Sequence, residues 1–355
     1  MFLKESLKLF YLCTRLYFDC MKKRITIKDI AKELNVHHST VSRALRNDSR
    51  VNEKTRDAVL EYARNHDYQT NMNAVQLRGQ TNNAIALIVP NINHSFFSDI
   101  ISQLTDLAFQ KGFVISVFQS NEKYLQEKEI VSTIIKHNFA GVIVSIAKDT
   151  INSDHFAVLK KFDIPLVFFD RVCENIDTPK VLVNNYEITF SATEHLINKG
   201  YKRIVHITGT NNINVFRNRQ NGYIDALKKK NLEYIQPIVL EDEFSIEVGK
   251  NIFSNLWNSM ERPDAIISSS VHLTMGILLQ ARGYGVEIPK DLGLITFGTL
   301  LSSEIIQPQI TYIDQPEKEI AEISFDLLEK MMDHELSDDE MIEREVKAEI
   351  IFRDT

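Results

Sequence analysis

The spacing of hydrophobic residues changes once along the chain. In the first part, apolar side chains recur every three or four positions, whereas from residue 83 short continuous apolar runs alternate with helical stretches. The first spacing is typical of amphipathic helices, and the second is typical of parallel β-strands buried on both faces. The sequence therefore predicts a small helical domain followed by a larger α/β domain.

The first predicted helix covers residues 26–34. Thr26 is placed to cap its N-terminus, Asp29 follows three residues later in a shortened capping box, and Asn35 is suited to end the helix. A third helix is predicted at residues 53–66, where it would close a small core. Its core-facing residues would be Ala58, Val59, Tyr62 and Ala63.

The second helix, predicted at residues 38–45, has one apolar face and one polar face. The polar face has short hydrogen-bonding groups and one guanidinium, with no acid, and consists of His38, Ser39, Ser42 and Arg43. Such a face suits the DNA major groove, where Arg contacts guanine and short polar groups contact base edges or phosphates. Three helices of this kind predict a helix-turn-helix domain. The alternative interpretation is a small helical bundle with an ordinary polar surface.

The larger domain contains eight apolar runs with the length of buried strands. In chain order they are NAIALIVP, FVISVFQ, AGVIVSI, PLVFFD, RIVHITG, PIVLED, AIISSS and LGLITFG. Helices are predicted between them at residues 97–111, 124–136, 155–162, 188–199, 219–230, 246–258 and 275–282. Two doubly wound halves in succession predict two subdomains and a cleft, with a ligand at the carboxyl ends of the strands.

Four stretches of the sequence resemble the LacI/GalR family of transcriptional regulators. They are TIKDIAKELNV, STVSRAL, VNEKTRDAVLEYA and NMNAVQLRG, and the resemblance extends over nearly everything after Met21. It implies an α/β protein: an N-terminal all-α helix-turn-helix domain, then a type I periplasmic-binding-protein-like pair of doubly wound parallel-sheet subdomains.

The resemblance also implies domain boundaries. The expected segments are a leader (1–21), a helix-turn-helix domain (22–69), a hinge helix (70–80) and an effector-binding and dimerisation domain (81–355). Within the last, the N-subdomain is expected at 81–184 and 315–340, and the C-subdomain at 185–314 and 341–355. The leader is interpreted as an over-long start, an amphipathic arm or, less well, a signal peptide, because Lys8 and Arg15 interrupt its apolar stretch.

The expected DNA contacts combine the second helix with the hinge segment. They are Thr26, His37, His38, Ser39, Thr40, Ser42, Arg43, Asn71, Ala74 and Leu77. By resemblance, Leu77 would wedge into the minor groove from a hinge helix too short to be stable alone; the other interpretation is that it packs against the body. His37 stands where the family usually has a capping Ser.

The resemblance implies an effector site in the cleft. Its expected residues are His94, Phe96, Phe97, Asp170, Arg171, Arg219, Phe244, Ser270 and Gln315. Charged forks that bind hydroxyls, together with flat rings that cover C–H faces, suit a sugar or sugar derivative. The alternatives are that the two phenylalanines belong to the core, that Asp170 pairs with Arg171 structurally, and that Arg219 lies on the surface.

Two departures from the family pattern affect this expected ligand. Ser270 and Val271 stand where Asn-Asp is frequent, and residues 296–299 read TFGT where Gly-Phe-Asp-Asp is frequent. The carboxylate that commonly accepts two sugar hydroxyls is therefore missing. The sequence favours a more anionic or less hydroxylated ligand, such as a sugar acid; alternatively, the site has lost its ligand.

Charge is distributed unevenly along the chain. Residues 21–79 carry 12 Lys/Arg against 7 Asp/Glu, which is +5; residues 1–20 carry +1, and the rest carries −13 of a total of −7. A basic head on an acidic body fits a DNA-binding protein. The three cysteines cannot form a disulfide framework and no run of 18 apolar residues is present, which favours the cytoplasm and no membrane span.

Three hypotheses about function follow. The favoured one is a homodimeric regulator that binds a palindromic DNA operator and responds to a small-molecule effector. A solute-binding protein would share the body but has no use for a helix-turn-helix. An enzyme is disfavoured, because the sequence has neither G-x-G-x-x-G nor G-x-x-x-x-G-K-[ST], and no Cys/His metal spacing, so no cofactor is expected.

Overall fold

The computed structural model describes residues 25–66, 68, 83–241, 244–299, 307–336 and 342–355. The chain divides into two compact units, residues 1–80 and 81–355. The expected leader and the expected hinge contacts Asn71, Ala74 and Leu77 lie outside the described residues. Among the helices that are described, none combines the length and the apolar character needed to cross a membrane.

The first unit contains three helices: α1 (Ile27–Glu33), α2 (His38–Leu45) and α3 (Glu53–Asn65). They meet around a small core whose fully buried members are Ile30, Val41, Ala44 and Val59. The predicted capping box is confirmed, since the Thr26 Oγ1 accepts the Asp29 N–H and the Asp29 carboxylate accepts the Thr26 N–H. Periodicity therefore placed all three helices within about two residues of their observed ends.

Removing the Thr26 hydroxyl is expected to loosen α1. Thr26→Ala should cost about 1 kcal/mol of local stability, because the Asp29 N–H loses its side-chain acceptor, the Thr26 Oγ1. Hydrogen exchange of the α1 amides in the full-length protein should then speed up by about fivefold. Thr26→Ser keeps the hydroxyl and should exchange like wild type; equal exchange in Thr26→Ala would show that the cap contributes nothing.

The second unit begins with the elements of a first lobe. They are β1 (Ala84–Val89), α4 (Ser95–Gln110), β2 (Val114–Gln119), α5 (Tyr124–Lys136), β3 (Gly141–Val144), α6 (Asp154–Ala157), a 3₁₀ turn (Leu159–Phe162), β4 (Leu166–Phe169) and β5 (Lys180–Val183). The elements of a second lobe follow as α7 (Asn185–Asn198), β6 (Ile204–Gly209), α8 (Asn214–Lys229), β7 (Ile238–Leu240), α9 (Ile246–Trp257), β8 (Ala265–Ser268), α10 (Val271–Gly283), β9 (Gly293–Phe297) and β10 (Thr311–Asp314). The chain ends with α11 (Glu317–Met332), β11 (Glu343–Val346) and β12 (Glu349–Ile351).

Each lobe is built on one six-stranded sheet. The first has the order β11-β5-β4-β3-β1-β2 with every pair parallel, and the second has the order β12-β10-β9-β8-β6-β7 with only β12 antiparallel. The strand order reverses between β1 and β3 and again between β6 and β8. The predicted fold class, a helical head followed by two doubly wound parallel sheets, is confirmed.

The chain passes between the lobes three times: after β5 at Asn184, after β10 at Gln315, and after β11 at residues 347–348. The third crossing corrects an expected boundary. Residues 343–346 were assigned to the C-subdomain, but β11 pairs with β5 in the first sheet. Asn184 joins the first and third crossings, since its N–H donates to the Val346 carbonyl at 3.2 Å and its Oδ1 accepts the Ala348 N–H at 2.9 Å.

Several elements of the body differ from the sequence-based expectations. Strands β5 and β10 and helix α11 were not predicted, and the predicted helix at 155–162 is α6 followed by a 3₁₀ turn. The last strand of the chain, β12, ends at Ile351, and the final four residues follow it outside the strand. Thr355 instead anchors the chain end, because its Oγ1 donates to the Leu294 carbonyl and accepts the Thr311 N–H.

His206 is a fully buried histidine at the centre of β6, hydrogen-bonded through Nδ1 to the Ile267 carbonyl. Burial lowers its pKa to about 3. Below pH 6.5 the unfolded chain therefore binds a proton that the folded protein does not, so stability is present above pH 6.5 and is lost as the pH falls towards 3. From pH 8 to pH 5 this one group should cost about 2 kcal/mol of unfolding free energy.

His206→Gln is expected to remove about 2 kcal/mol of that pH-dependent loss, because glutamine keeps a donor but does not titrate. The measurement is urea unfolding of both proteins at pH 8 and pH 5. His137→Gln, which changes an exposed histidine, is the control and should keep the wild-type difference. An unchanged pH dependence in His206→Gln would contradict the assignment.

Candidate functional site

The expected DNA-reading surface lies on α2 in the first unit. His37 occupies the N-cap, and its Nδ1 accepts the Ser39 N–H at 3.4 Å and lies 2.8 Å from the Ser39 Oγ. His37, His38 and Arg43 are exposed, whereas Ser39 and Thr40 are half-buried. Arg43 has no hydrogen-bond or ion-pair partner that the structure describes, so its guanidinium is available. Like those of His37, His38, Ser39 and Thr40, its DNA contact stays a prediction.

Ser42 does not belong to this exposed surface. The sequence placed it on the polar face of α2, but it is only 7% exposed, and its Oγ accepts a hydrogen bond from Arg46 at 3.2 Å. The Arg46 Nε also donates to the Ser42 carbonyl. The wheel position of Ser42 lies next to the core side, and the long Arg46 side chain covers it. The structure therefore assigns Ser42 to the packing of the head.

A cavity of about 730 Å³ lies between the two lobes of the second unit, at the carboxyl ends of the strands. Eight of the nine expected effector residues line it: His94, Phe96, Phe97, Asp170, Arg171, Arg219, Phe244 and Gln315. The ninth, Ser270, does not line it. Its Oγ accepts the His272 N–H and caps α10, and the cavity wall is formed there by Ser269, Val271 and His272.

Arg219 connects the cavity to the crossings. The residue is 4% exposed; its Nε donates to the Asn185 Oδ1 at 2.7 Å and its Nη2 donates to the Gln315 Oε1 at 2.8 Å. Asn185 follows the first crossing, and Gln315 is the second. The guanidinium carbon lies 3.5 Å from the centre of the Phe297 ring, and burial lowers the pKa of Arg219 to about 9. Arg219 is therefore not a surface residue.

The position of Arg219 depends on close helix packing. Arg219 lies on α8, one turn before Gly222, and α8 packs against α7. A Cβ on Gly222 would lie 2.3 Å from the Tyr186 carbonyl oxygen, so only glycine permits this approach. The sequence pattern R-x-x-G-aromatic, here Arg219 to Tyr223, therefore combines a cavity-facing arginine with the glycine contact that holds its helix in place.

Arg171 is held by a residue that the sequence did not indicate. Its Nη1 lies 2.9 Å from both carboxylate oxygens of Glu122, and its guanidinium carbon lies 5.7 Å and 5.6 Å from the rings of Phe97 and Phe216. Glu122 also accepts the Lys148 N–H. The alternative interpretation, a structural pair between Asp170 and Arg171, is not seen, because the Arg171 guanidinium binds Glu122 instead.

Asp170 is the buried carboxylate of the cavity. It is 6% exposed and adopts a left-handed backbone conformation, with φ of 57°. Its backbone is fixed from the other lobe, since the Asn214 Nδ2 donates to the Asp170 carbonyl at 2.9 Å. No described residue donates a hydrogen bond to its carboxylate. Burial raises the pKa of Asp170, and Arg171 and Arg219 oppose that rise.

Two further titratable groups line the cavity. His94 stands at the N-cap of α4; its Nδ1 is buried without a hydrogen-bond partner in the described part of the chain, and burial lowers its pKa to about 4. Glu317 is the first residue of α11, where burial raises its pKa to about 7, with further contributions from Asp314, Asp99 and Asp170. At neutral pH, His94 is therefore uncharged and Glu317 is poised to ionise.

Where the family pattern has a carboxylate, the second lobe lines the cavity with Phe297 and Gly298. At the end of β9, the Thr296 Oγ1 lies 2.8 Å from the Thr274 Oγ1, Phe297 lies under Arg219, and Gly298 lines the cavity. Thr299 donates to the Asp314 carboxylate. The missing acceptor noted in the sequence is therefore not replaced on this strand end.

Several residues that line or support the cavity were not expected from the sequence: Glu122, Lys148, Asn185, Phe216, Phe297 and Glu317. Two of them have a sequence feature that could have indicated a role in the site. Asn185 belongs to the Asn-Asn pair at the first crossing, and Glu317 lies two residues after Gln315. Within the described residues, no group of three His, Cys, Asp or Glu side chains is arranged to hold a metal ion.

Comparison with known proteins places both units. Residues 26–71 match the family model described as "Bacterial regulatory proteins, lacI family". Residues 82–350 match the model described as "Periplasmic binding proteins and sugar binding domain of LacI family". Between them, the two matches cover most of the chain.

Individual relatives agree with these matches. The chain is 29% identical to the NTD biosynthesis operon regulator NtdR of Bacillus subtilis over 84% of this chain and 89% of that protein. It is 25% identical to catabolite control protein A of Priestia megaterium over 90% and 96%. In structure it is similar to a Lac repressor dimer bound to operator and the anti-inducer ONPF, with a TM-score of 0.81 and 20% identity over 94% and 99% of the two chains.

Two of these relatives are an operon regulator and a catabolite control protein, and the third is a repressor bound to its operator. The acid-free, exposed face of α2 and the lined cavity between the lobes are the two parts such a regulator needs. The chain belongs to the LacI family of bacterial transcriptional regulators, with a helix-turn-helix head and a periplasmic-binding-protein-like sugar-binding domain.

Proposed function

We propose that this protein is a cytoplasmic repressor that binds a palindromic operator as a homodimer and responds to a sugar or sugar derivative in the cleft. The observation that carries the proposal is the combination of two sites in one chain. The first unit exposes Arg43 on a helix with no acid in its first turn, and the second unit encloses a cavity lined by Arg219 and Asp170.

DNA recognition in this proposal begins on α2. Arg43 contacts a guanine in the major groove, and His38, Ser39 and Thr40 contact base edges or phosphates. Thr26 and His37 lie at the N-termini of α1 and α2, where a backbone phosphate is favoured by the helix dipole. By resemblance to the family, Leu77 wedges into the minor groove, and Asn71 and Ala74 are further DNA contacts of the same hinge segment.

Dimerisation follows from the small size of α2. A helix of eight residues contacts too few base pairs to distinguish one site in a genome, and two symmetric copies double the number. A closed two-fold dimer then predicts an operator with two inverted half-sites. The structurally similar Lac repressor, crystallised as a dimer bound to operator, has the same fold.

The effector acts through the relative position of the lobes. Arg219 contacts residues at the first and second crossings, and Asn184 joins the first to the third. A ligand that binds Arg219 in the cleft therefore contacts a residue that is linked by hydrogen bonds to the first two crossings and, through the first, to the third. Such a ligand shifts DNA affinity only if it binds one lobe arrangement more tightly than the other. The unpaired carboxylate of Asp170 argues against a cleft that has lost its ligand.

The decisive experiment is selection of binding sites from random DNA duplexes by the purified full-length protein. We expect an inverted repeat to be enriched, and we expect the protein to bind it as a dimer in sedimentation measurements. Affinity should fall steeply with salt, because phosphate contacts release counterions. A protein that enriched no sequence at moderate salt, with or without sugars, would refute the proposal.

A further inference from the structure

Four carboxylates line the cavity in the described part of the chain: Glu122, Asp170, Glu247 and Glu317. Two of them are paired. Glu122 accepts both contacts from Arg171, and Glu247 pairs with Lys250 at 3.2 Å on the solvent side. Asp170 and Glu317 are different, because no other described residue donates a hydrogen bond to either carboxylate or forms an ion pair with it; the Glu317 carboxylate accepts only its own backbone N–H.

The positively charged side chains that line the cavity already bind other groups. Arg171 is bound to Glu122, the Lys148 Nζ donates to the Glu241 carbonyl, and Arg219 donates to the amide oxygens of Asn185 and Gln315. None of these three contacts involves Asp170 or Glu317. The cavity is therefore lined by two carboxylates, those of Asp170 and Glu317, that none of these cations binds.

Burial makes this arrangement unfavourable in the absence of a ligand. Asp170 is almost completely buried, and an unpaired buried carboxylate loses its hydration without compensation. Accordingly, the pKa of Asp170 is raised by burial, and that of Glu317 is raised to about 7, partly by the charge of Asp170. A ligand hydroxyl would supply one donor, whereas an ammonium would supply three N–H groups and the missing positive charge.

The remaining walls suit the body of a hydroxylated ligand. The rings of Phe97, Phe216, Phe244 and Phe297 line the cavity, and aromatic faces cover sugar C–H groups and also attract a cation. The Arg219 guanidinium uses two of its five N–H groups on Asn185 and Gln315, which leaves donors for ligand oxygens.

We propose that the cleft selects an amino sugar, and that the ammonium of this ligand binds at Asp170 and Glu317 while Arg219 binds its hydroxyls. The assignment rests on the proposed function and names the ligand class of that site. It reverses the sugar-acid expectation drawn from the missing carboxylate after β9. A ligand carboxylate would instead meet the two unpaired carboxylates and be repelled.

The test is calorimetric titration of the full-length protein at neutral pH with matched ligands. The panel comprises glucosamine, glucose, glucuronate and N-acetylglucosamine, and the corresponding four galactose compounds. N-acetylation keeps the nitrogen but removes its charge. We expect at least one amine to bind at least about tenfold more tightly than its neutral, acetylated and acidic counterparts, since a charge-assisted contact contributes that much.

Two variants test the assigned residues. Asp170→Asn and Glu317→Gln each remove a charge at nearly constant size, and asparagine also tolerates the left-handed backbone at position 170. Each should weaken binding of the amine by about tenfold or more and leave the neutral sugar nearly unaffected. Glu319→Gln, on the exposed side of α11, is the matched control and should bind the amine like wild type.

The proposal is overturned if no amine in the panel binds, if a neutral or acidic sugar binds as tightly as its amine, or if both variants keep wild-type affinity for the amine. These failures are distinguishable from failure of the proposed function. Sequence-specific DNA binding that responds to a neutral sugar would keep the function and reject the amine. Absence of sequence-specific DNA binding would reject the function whatever the titrations show.

Discussion

Arg219→Ala is expected to abolish the response to the effector and to leave operator binding intact. The guanidinium contacts both Asn185 and Gln315, so it joins the ligand cavity to two crossings. A ligand that loses two charge-assisted hydrogen bonds should bind at least about a hundredfold more weakly. The first unit, which carries the expected DNA contacts, is separate and contains none of these residues.

The measurement is fluorescence anisotropy of labelled operator with and without the molecule to which the wild-type protein responds. Lys228→Ala removes an exposed positive charge from the same helix and should respond like wild type. Arg219→Lys keeps the charge but loses the planar fork, and we expect it to remain largely unresponsive. A normal response by Arg219→Ala would show that the effector binds elsewhere.

Arg43→Ala is expected to relax or abolish the choice of operator. Arg43 is exposed on α2 and no described residue takes its guanidinium, so its bidentate donors are free for a guanine. Losing that contact should cost about 1–3 kcal/mol of discrimination at one base pair of each half-site. In a symmetric dimer the same contact is lost twice.

Competition between the selected operator and variants of it, each carrying one changed base pair per half-site, measures this effect. Arg43→Ala should stop distinguishing the guanine-containing site from its variants at one position only. Arg64→Ala, which removes an exposed charge from α3, should weaken all sites equally and keep the preference. If both variants lose the same affinity for every sequence, Arg43 acts on phosphate rather than on a base.

Local patterns in the chain predicted the three helices of the head, eight strands of the body and much of the site. In each helix of the head, apolar residues recur every three or four positions, and this spacing predicted the helix. The Thr26 cap was predicted from Asp29, three residues later. Eight of the twelve described strands, β1 to β4 and β6 to β9, lie in apolar runs, because parallel strands inside a sheet are covered on both faces. Arg219 and Gln315 were found because they lie in short words that resemble a known family, without knowledge of how they meet.

Local patterns did not determine the contacts between distant parts of the chain. Arg171 pairs with Glu122, 49 residues away, rather than with its neighbour Asp170, and Arg219 meets Gln315 across 96 residues. A helical wheel places Ser42 on the polar face of α2, but in the structure the Arg46 side chain covers it. Likewise, β11 joined the first sheet although it follows two crossings.

The ligand class shows this division most clearly. The sequence contains the acids of the cavity and lacks one after β9, and that absence alone favoured an anionic ligand. A cavity carboxylate attracts a cationic ligand only when no arginine or lysine already neutralises its charge. Only the folded chain shows which of the acids already have such partners. Asp170 and Glu317 remain unpaired because the nearby cations are held by Glu122, Asn185, Gln315 and the Glu241 carbonyl.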